Sequence, residues 1–440
     1  QVHEVVLGLL SDENTQVQMT GSAVVSRFAI IDVPDGKWPE LFSFLLNTVT
    51  PSTLRALQYI CEDASYEQVA SILPTVIQLC VGLCVNSKDA TLVFEALSVL
   101  GNVVPFSKVM AVETYRNELL KVIIAAGDSP SLELSIKGFQ ILDYFADVFY
   151  EYFGQYAQDI LKISLAPLQL GPNEQFAEKQ KVILTLWKTV GARHARNNLP
   201  PQFIMQVLNI LYPLLCGLIY TTLGETEEED TDSVFYAAQE TLLSLAEVLG
   251  PVPMQTFSAQ IMELYKAPDW RRVHQGMCIF AALITQRTPN DVGIVAEHLK
   301  AIVGLLQQNI PAIRAAVISV FSRCVEFCFD ALEPFVVDFA KTISQLFRDA
   351  PIVVNNVCLF YYSFGKVLKE RGLAIFNGII PNLITLLLQL ISTVSNEQIV
   401  IHSLMACCEL VQALNQPRYS MSILTYFFND GFRLIQASLN

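Results

Sequence analysis

The side chains able to do chemistry are few and scattered. Five histidines occur, His3, His194, His274, His298 and His402. None sits in H-E-x-x-H or beside a clustered set of cysteines and carboxylates, so no metal site is expected. His194, within Ala192-Arg193-His194-Ala195-Arg196, reads as a solvated helix end. Ten cysteines fall one or two at a time. Cys80/Cys84 and Cys324/Cys328 are spaced i,i+4 on helical patterns, which places both thiols on one buried face and is not the C-x2-C spacing of zinc. With no N-x-S/T sequon, they read as small core residues of a chain in a reducing, intracellular compartment. A Walker A loop, a dinucleotide glycine motif and a G-x-S-x-G elbow are absent from the sequence. No catalytic residue, cofactor or metal is expected, and binding is the default role.

One cluster of ionisable groups stands out. Glu225, Glu227, Glu228, Glu229, Asp230 and Asp232 are six acids among the eight residues from Glu225 to Asp232. Such a run repels itself and cannot pack, so 224–233 reads as an exposed loop. It is either a solvated linker or an electrostatic contact for a basic partner. The whole chain supports the same partner chemistry. Its 440 residues carry 28 basic and 42 acidic side chains, −14 net, a balance that repels nucleic acid and favours basic protein.

The elements that must position this loop are helices. Hydrophobic residues make up 52% and charged residues 16%, which excludes a disordered chain. Gln68–Ser87, Asn197–Gly224 and Gly372–Asn396 carry no charge, and each is long enough to raise the question of a membrane span. Proline and amides interrupt the last two, however, and clustered Arg and Lys do not flank them. Nearly every segment shows apolar residues at i, i+3, i+4 and i+7 over ten to twenty residues, separated by short Gly, Pro and Asp breakers. A turn signature recurs about every forty residues, near Pro51, Lys88, Ser129, Asn173, Asp232, Pro268, Pro311, Pro351 and Asn396. The period and the two helices per unit predict an all-α chain, a right-handed α-solenoid of about ten HEAT repeats spanning 1–440 as one domain. The chain lacks an initiator Met, and both ends are expected to be incomplete. Trp38 and Trp270, at turn-to-helix positions, read as packing anchors between repeats.

Several segments go beyond this pattern. Val33-Pro34-Asp35-Gly36-Lys37-Trp38-Pro39-Glu40-Leu41 resembles the "IP-x-x-x-WPEL" entry of an early repeat in the importin-β family. Ser52-Thr53-Leu54-Arg55-Ala56-Leu57-Gln58-Tyr59-Ile60-Cys61-Glu62-Asp63 is similar to that family's "STLEAIGYICQD", and Tyr66-Glu67-Gln68-Val69 continues it in the style of "PEQL". Further on, the acidic loop precedes an Ala237-Ala238 helix and then Pro268-Asp269-Trp270-Arg271, in the order of the family's acidic-loop and "PDWR" repeats. Asn356-Val357-Cys358 resembles a later helix start.

The resemblance implies a nuclear transport receptor, a monomer moving between cytoplasm and nucleus and found at the nuclear pore. Its implied partners are Ran-GTP, Phe-Gly nucleoporins, and basic import signals or an importin-α-like adaptor. No nucleic acid and no membrane insertion are implied. The acidic loop of the family touches Ran and cargo, which points to Glu225, Glu227, Glu228, Glu229, Asp230 and Asp232. By position, its Phe-Gly groove involves Val76, Ile77 and Cys80 on one helix and Leu119 on the next, although Glu118 stands where the family has an aromatic residue. The family also grips the adaptor helix with tryptophans on second helices. The matching positions here are Asp232, Ser319 and Leu359, none aromatic, so an adaptor is held by other residues or not at all. The rival readings are a HEAT scaffold that assembles another complex and a polytopic membrane protein.

Overall fold

The structure is a computed structural model that describes residues 2–171, 173–197, 202–220, 233–284, 291–372, 376 and 378–414. Among these there are twenty-four α-helices and no strand. The sequence treats 1–440 as one array. The packing divides it into two compact units, Gln1–Asn197 and Asn198–Asn440, each described by itself.

The first unit holds five helix pairs. They are α1 (Val2–Gly8) with α2 (Thr15–Asp32), α3 (Leu41–Asn47) with α4 (Pro51–Asp63), and α6 (Leu73–Asn86) with α7 (Ala90–Val103). The last two are α9 (Glu113–Gly127) with α10 (Leu132–Val148) and α12 (Ala157–Gln169) with α13 (Ala177–Asn197). One-turn helices α5 (Tyr66–Val69), α8 (Ser107–Met110) and α11 (Tyr150–Phe153) connect some of them. The second unit holds five more: α14 (Gln202–Leu218) with α15 (Val234–Leu249), α16 (Val252–Leu264) with α17 (Trp270–Leu283), and α18 (Val292–Val303) with α19 (Pro311–Phe327). After the single turn α20 (Phe329–Leu332) come α21 (Val336–Ile343) with α22 (Pro351–Arg371), then α23 (Ile380–Thr393) with α24 (Glu397–Leu414). Ten described pairs match the forty-residue period. The three uncharged stretches supply first helices, α6, α14 and α23. No helix among the described residues is long and apolar enough to cross a membrane.

Local chemistry sets where the second helices begin. An isolated helix start leaves unbonded N–H groups, and a short polar side chain or a proline removes the need for some of them. Thr50 and Thr53 form a reciprocal cap before α4, with Pro51 in the first turn. Asp89 accepts from the N–H groups of Thr91 and Leu92, Ser233 from Tyr236, and Asp269 from Arg271. Pro311 and Pro351 open α19 and α22. Gly372 ends α22 at φ 63°, a left-handed conformation that a side chain would disfavour.

Within each unit the second helices stack in order, α2 on α4 on α7 on α10 on α13, and α15 on α17 on α19 on α22 on α24. First helices also meet their neighbours, as α6 meets α9 and α16 meets α18. A helix touched on three sides buries a wide apolar arc, which accounts for the sparse charge. Trp38 is 1% exposed and stacks on His3 at 4.2 Å. Trp187 is buried and its indole N–H donates to Ser164 at 3.1 Å. Phe321 stacks on Phe339 at 3.6 Å, joining α19 to α21. His194 corrects the sequence reading. It is 3% exposed rather than solvated, and Nδ1 lies 2.7 Å from the Tyr150 hydroxyl. Its flanking arginines suggested solvent, but a partner 44 residues away buries it.

A groove on the second helices and the expected contact sites

The second-helix side of the second unit forms an open groove of about 610 Å³. Five consecutive second helices contribute. Gln239 and Glu240 come from α15, Met277, Ala281 and Ala282 from α17, and Ala315, Ala316, Ser319 and Arg323 from α19. Asn355, Asn356 and Leu359 come from α22, and Gln398 and His402 from α24. The lining residues recur at helical spacing because each second helix turns the same face outward after its buried arc is packed. Alanines on α17 and α19 keep the floor low. Ser319 is exposed and Leu359 half-buried.

The polar side chains have defined partners. His402 Nδ1 donates to Asn355 Oδ1 at 2.7 Å, across α24 and α22. Asn356 Nδ2 donates to the Ile352 carbonyl at 2.9 Å. Arg323 donates to the Ile284 carbonyl at 3.2 Å, and its guanidinium lies 4.6 Å from the centre of the Phe327 ring. Burial pushes the Arg323 pKa down, while Glu326, Glu247 and Glu240 oppose that shift. Farther along, Ser363 donates to Glu326 at 2.5 Å, and Lys366 lies 3.9 Å from the centre of the Tyr362 ring. The arrangement offers uncharged donors and acceptors along a shallow track, and its charged lining is one carboxylate, Glu240, and one guanidinium, Arg323.

The expected site residues fall in three places. Glu225, Glu227, Glu228, Glu229, Asp230 and Asp232 lie outside the described residues. The described chain stops at Tyr220 and resumes at Ser233, which caps α15. Val76, Ile77 and Cys80 on α6 and Leu119 on α9 lie on two helices that pack together, and all four are 0% exposed. Burial also pushes the Cys80 thiol well up from its ordinary range. Ser319 and Leu359 both line the groove. Sequence reasoning missed Gln239, Asn355, Gln398 and His402. The signal available was a small or amide residue at one helical phase in successive second helices. Among the described residues no group of three or more His, Cys, Asp or Glu could hold a metal.

No protein-family model matches the chain. Curated relatives do. Importin subunit beta-1 of Arabidopsis thaliana is 25% identical over 412 residues, covering 84% of this chain and 46% of the relative. The Schizosaccharomyces pombe protein of the same name is 22% identical over 398 residues, covering 81% and 44%. The chain thus spans about half the length of the curated relatives it matches. Among solved structures, the Kap95:Nup1 complex superposes with a TM-score of 0.85 at 18% identity, over 98% of this chain and 53% of that one. Kap95p bound to RanGDP gives 0.81 at 17%, over 98% and 52%. Kap95p is yeast importin-β. Along four fifths of its sequence the chain is thus similar to importin subunit beta-1 proteins, and its fold is similar to that of yeast importin-β.

Proposed function

We propose that the chain is the receptor part of a nuclear transport system, a karyopherin that binds protein partners and catalyses no reaction. The observation that carries this reading is the alignment of importin subunit beta-1 sequences along more than four fifths of the chain. The motif order around Trp38, the acidic run and Trp270 runs the same way. The similar Kap95 chains were solved with Nup1 and with RanGDP, which supports a nucleoporin and Ran as partner classes here. Net charge of −14 supports a basic cargo segment or adaptor as the third.

In this proposal Glu225, Glu227, Glu228, Glu229, Asp230 and Asp232 meet Ran or basic cargo. The Phe-Gly contact falls at the seam of α6 and α9. Because Val76, Ile77, Cys80 and Leu119 are buried there, a phenylalanine reaches them only after a small shift between the two helices. Solenoid helices are bound chiefly to their neighbours, so many small shifts of this kind are cheap. The protein then works between cytoplasm and nucleus and at the pore, as a single array.

The test is a pull-down with three baits: Ran loaded with a non-hydrolysable GTP analogue, a Phe-Gly repeat fragment, and a basic import peptide. Binding to all three is expected, with Ran displacing the peptide. Failure of all three sinks the receptor reading and leaves a HEAT scaffold.

A further inference from the structure

Among the described residues one arginine is buried, and it is one that lacks an acid. Arg116 on α9 is 4% exposed. In the same unit Arg27, Arg55 and Arg193 each reach a carboxylate on a neighbouring second helix, Asp63, Glu95 and Asp147. Arg116 is held instead by neutral groups. Its Nε donates to the Tyr156 hydroxyl at 3.3 Å and its Nη1 to the Met110 carbonyl at 2.7 Å. Its Cζ lies 4.1 Å from the centre of the Tyr152 ring. These contacts fix the guanidinium between α8, α9 and α11 but do not balance its charge. A charge taken out of water is costly until an opposite charge joins it. We propose that Arg116, together with Asn117, binds a carboxylate of an acidic protein segment.

The free donors support this role. Arg116 Nη2 makes no hydrogen bond and is not an enclosed atom, so it opens to the surface. Tyr156 is set edge-on to Phe145 at 6.1 Å and donates its hydroxyl proton to Asn117 Oδ1. Asn117 Nδ2 remains unspent. The chain Arg116–Tyr156–Asn117 therefore ends in an NH2 group at each side, both positioned by the same tyrosine. Val112 lies four residues before Arg116, on the same side of α9, and is 45% exposed. It offers an apolar contact beside the charge.

The charge count selects the anion. One guanidinium offsets one unit of charge. A phosphate monoester carries about −1.5 to −2 at neutral pH. Glu113 and Glu118, both exposed on α9, would repel the excess. A carboxylate brings a single charge and two oxygens in a plane, which the edge of a guanidinium matches. Glu113 is the nearest acid in sequence, one turn earlier, and it forms no ion pair with Arg116 among the described residues. This site does not rest on the receptor reading.

The experiment uses the full 440-residue chain and three fluorescent twelve-residue peptides, in which alanine alternates with glutamate, glutamine or phosphoserine. The glutamate peptide is expected to bind, the phosphoserine peptide to bind less tightly, and the glutamine peptide not at all. Asn117→Asp places a carboxylate of the chain itself beside the guanidinium and keeps an acceptor for Tyr156. It should raise the thermal unfolding midpoint and weaken the glutamate peptide about tenfold. Equal binding of the glutamate and glutamine peptides overturns the inference, as does unchanged glutamate binding by Asn117→Asp. A midpoint that does not rise in that variant also overturns it, because Glu113 would then already supply the counter-charge. Tighter binding of the phosphoserine peptide replaces the carboxylate assignment with a phosphate site. Absence of glutamate-peptide binding alongside retained Ran and Phe-Gly binding overturns the site and leaves the receptor reading intact. Glutamate binding with failure of all three pull-down baits does the reverse.

Discussion

On the second helices of the first unit, charge is spent within the protein. Arg55 of α4 pairs with Glu95 of α7, with side chains 19% and 5% exposed, and Arg193 of α13 donates to Asp147 of α10 at 2.6 Å. Lys137 of α10 lies close enough to Glu95 and Glu62 to feel both, although burial lowers its pKa. On the second helices of the second unit, the central rungs are neutral, His402 to Asn355 and Cys358 to Ser403, and alanines and amides open a groove. Each unit has five helix pairs and one stacking rule, and each carries ion pairs, Arg55–Glu95 in the first and Arg314–Asp349 and Lys369–Glu409 in the second. The polar side chains lining the groove of the second, however, are mainly neutral hydrogen-bonding groups. The same scaffold can therefore use a rung of the ladder for cohesion or for recognition, and the two uses compete for the same positions. Mutations on the first face should register in stability, and those on the second in binding.

The largest expected effect tests cohesion in the first unit. Arg55→Ala leaves Glu95 buried without its guanidinium, at a cost on the order of 3 kcal/mol. Urea unfolding followed by circular dichroism should show this as a lower midpoint, with binding of the basic import peptide unchanged under native conditions. Replacing both partners by leucine should recover most of the loss, because the penalty comes from the stranded charge. A neutral Arg55→Ala would remove the basis for calling the first face cohesive.

Acid should separate the two units next. His298 on α18 is fully buried, 2.9 Å from the Ser258 hydroxyl and 3.1 Å from that of Tyr265, and stacks on Phe280 at 4.2 Å. Burial pushes its pKa down to about 4 from an ordinary 6.5. The unfolded chain gains a proton near pH 6.5 and the folded chain resists until about pH 4. Stability from this group is thus complete above pH 6.5 and declines as pH falls through that window, by at most about 3 kcal/mol. Hydrogen exchange should show α16 and α18 losing protection between pH 6.5 and 4, and His298→Gln should flatten the trend. Unchanged protection across this range would mean that the imidazole is protonated without disturbing its surroundings.

Backbone proximity gives a matched pair of smaller effects. A Cβ on Gly138 would lie 2.6 Å from the Gly127 nitrogen, where α10 crosses α9. One on Gly365 would lie 2.7 Å from the Glu409 Cβ and 3.0 Å from its carbonyl carbon, where α22 crosses α24. Backbone cannot rotate away, so each alanine substitution should cost about 1–3 kcal/mol. Gly365→Ala should also weaken binding of the basic import peptide by spreading the α24 end of the groove, whereas Gly138→Ala should leave it unchanged. Equal effects on binding would show that the groove does not depend on its own helix spacing.

The repeats were readable in the sequence because each second helix opens with a group chosen by backbone chemistry. Thr50-Pro51, Asp89, Asp269, Pro311 and Pro351 mark starts that neighbours cannot easily move. The site was less legible. Val76 and Leu119 are apolar at helical spacing, and that pattern does not distinguish a buried seam from an open groove. His194 looked solvated because its burial comes from Tyr150, a contact no local window contains. Asn355 and Gln239 escaped notice because amides are ordinary on a helix surface. Only their shared phase across repeats, which emerges when α15 to α24 are stacked, marks them as one surface.

The smallest expected effect reverses the substitution that the family resemblance exposed. Ser319 and Leu359 both line the groove, one exposed and one half-buried, so an indole at either position enters open space rather than the core. Ser319→Trp and Leu359→Trp should each change stability by less than about 0.5 kcal/mol. Each indole offers a face to an arginine, worth about 1 kcal/mol at a partly exposed site, or about fivefold in affinity. The readout is anisotropy of a stapled, arginine-bearing helical peptide, which should bind the double variant about 25-fold more tightly than the unmodified chain. A linear peptide of alternating lysine and serine offers no guanidinium to stack and should gain less. If both peptides gain equally, the groove responds to added aromatic surface in general. If only the helical one gains, stacking on a guanidinium is a use of the track that the residues at 319 and 359 decide.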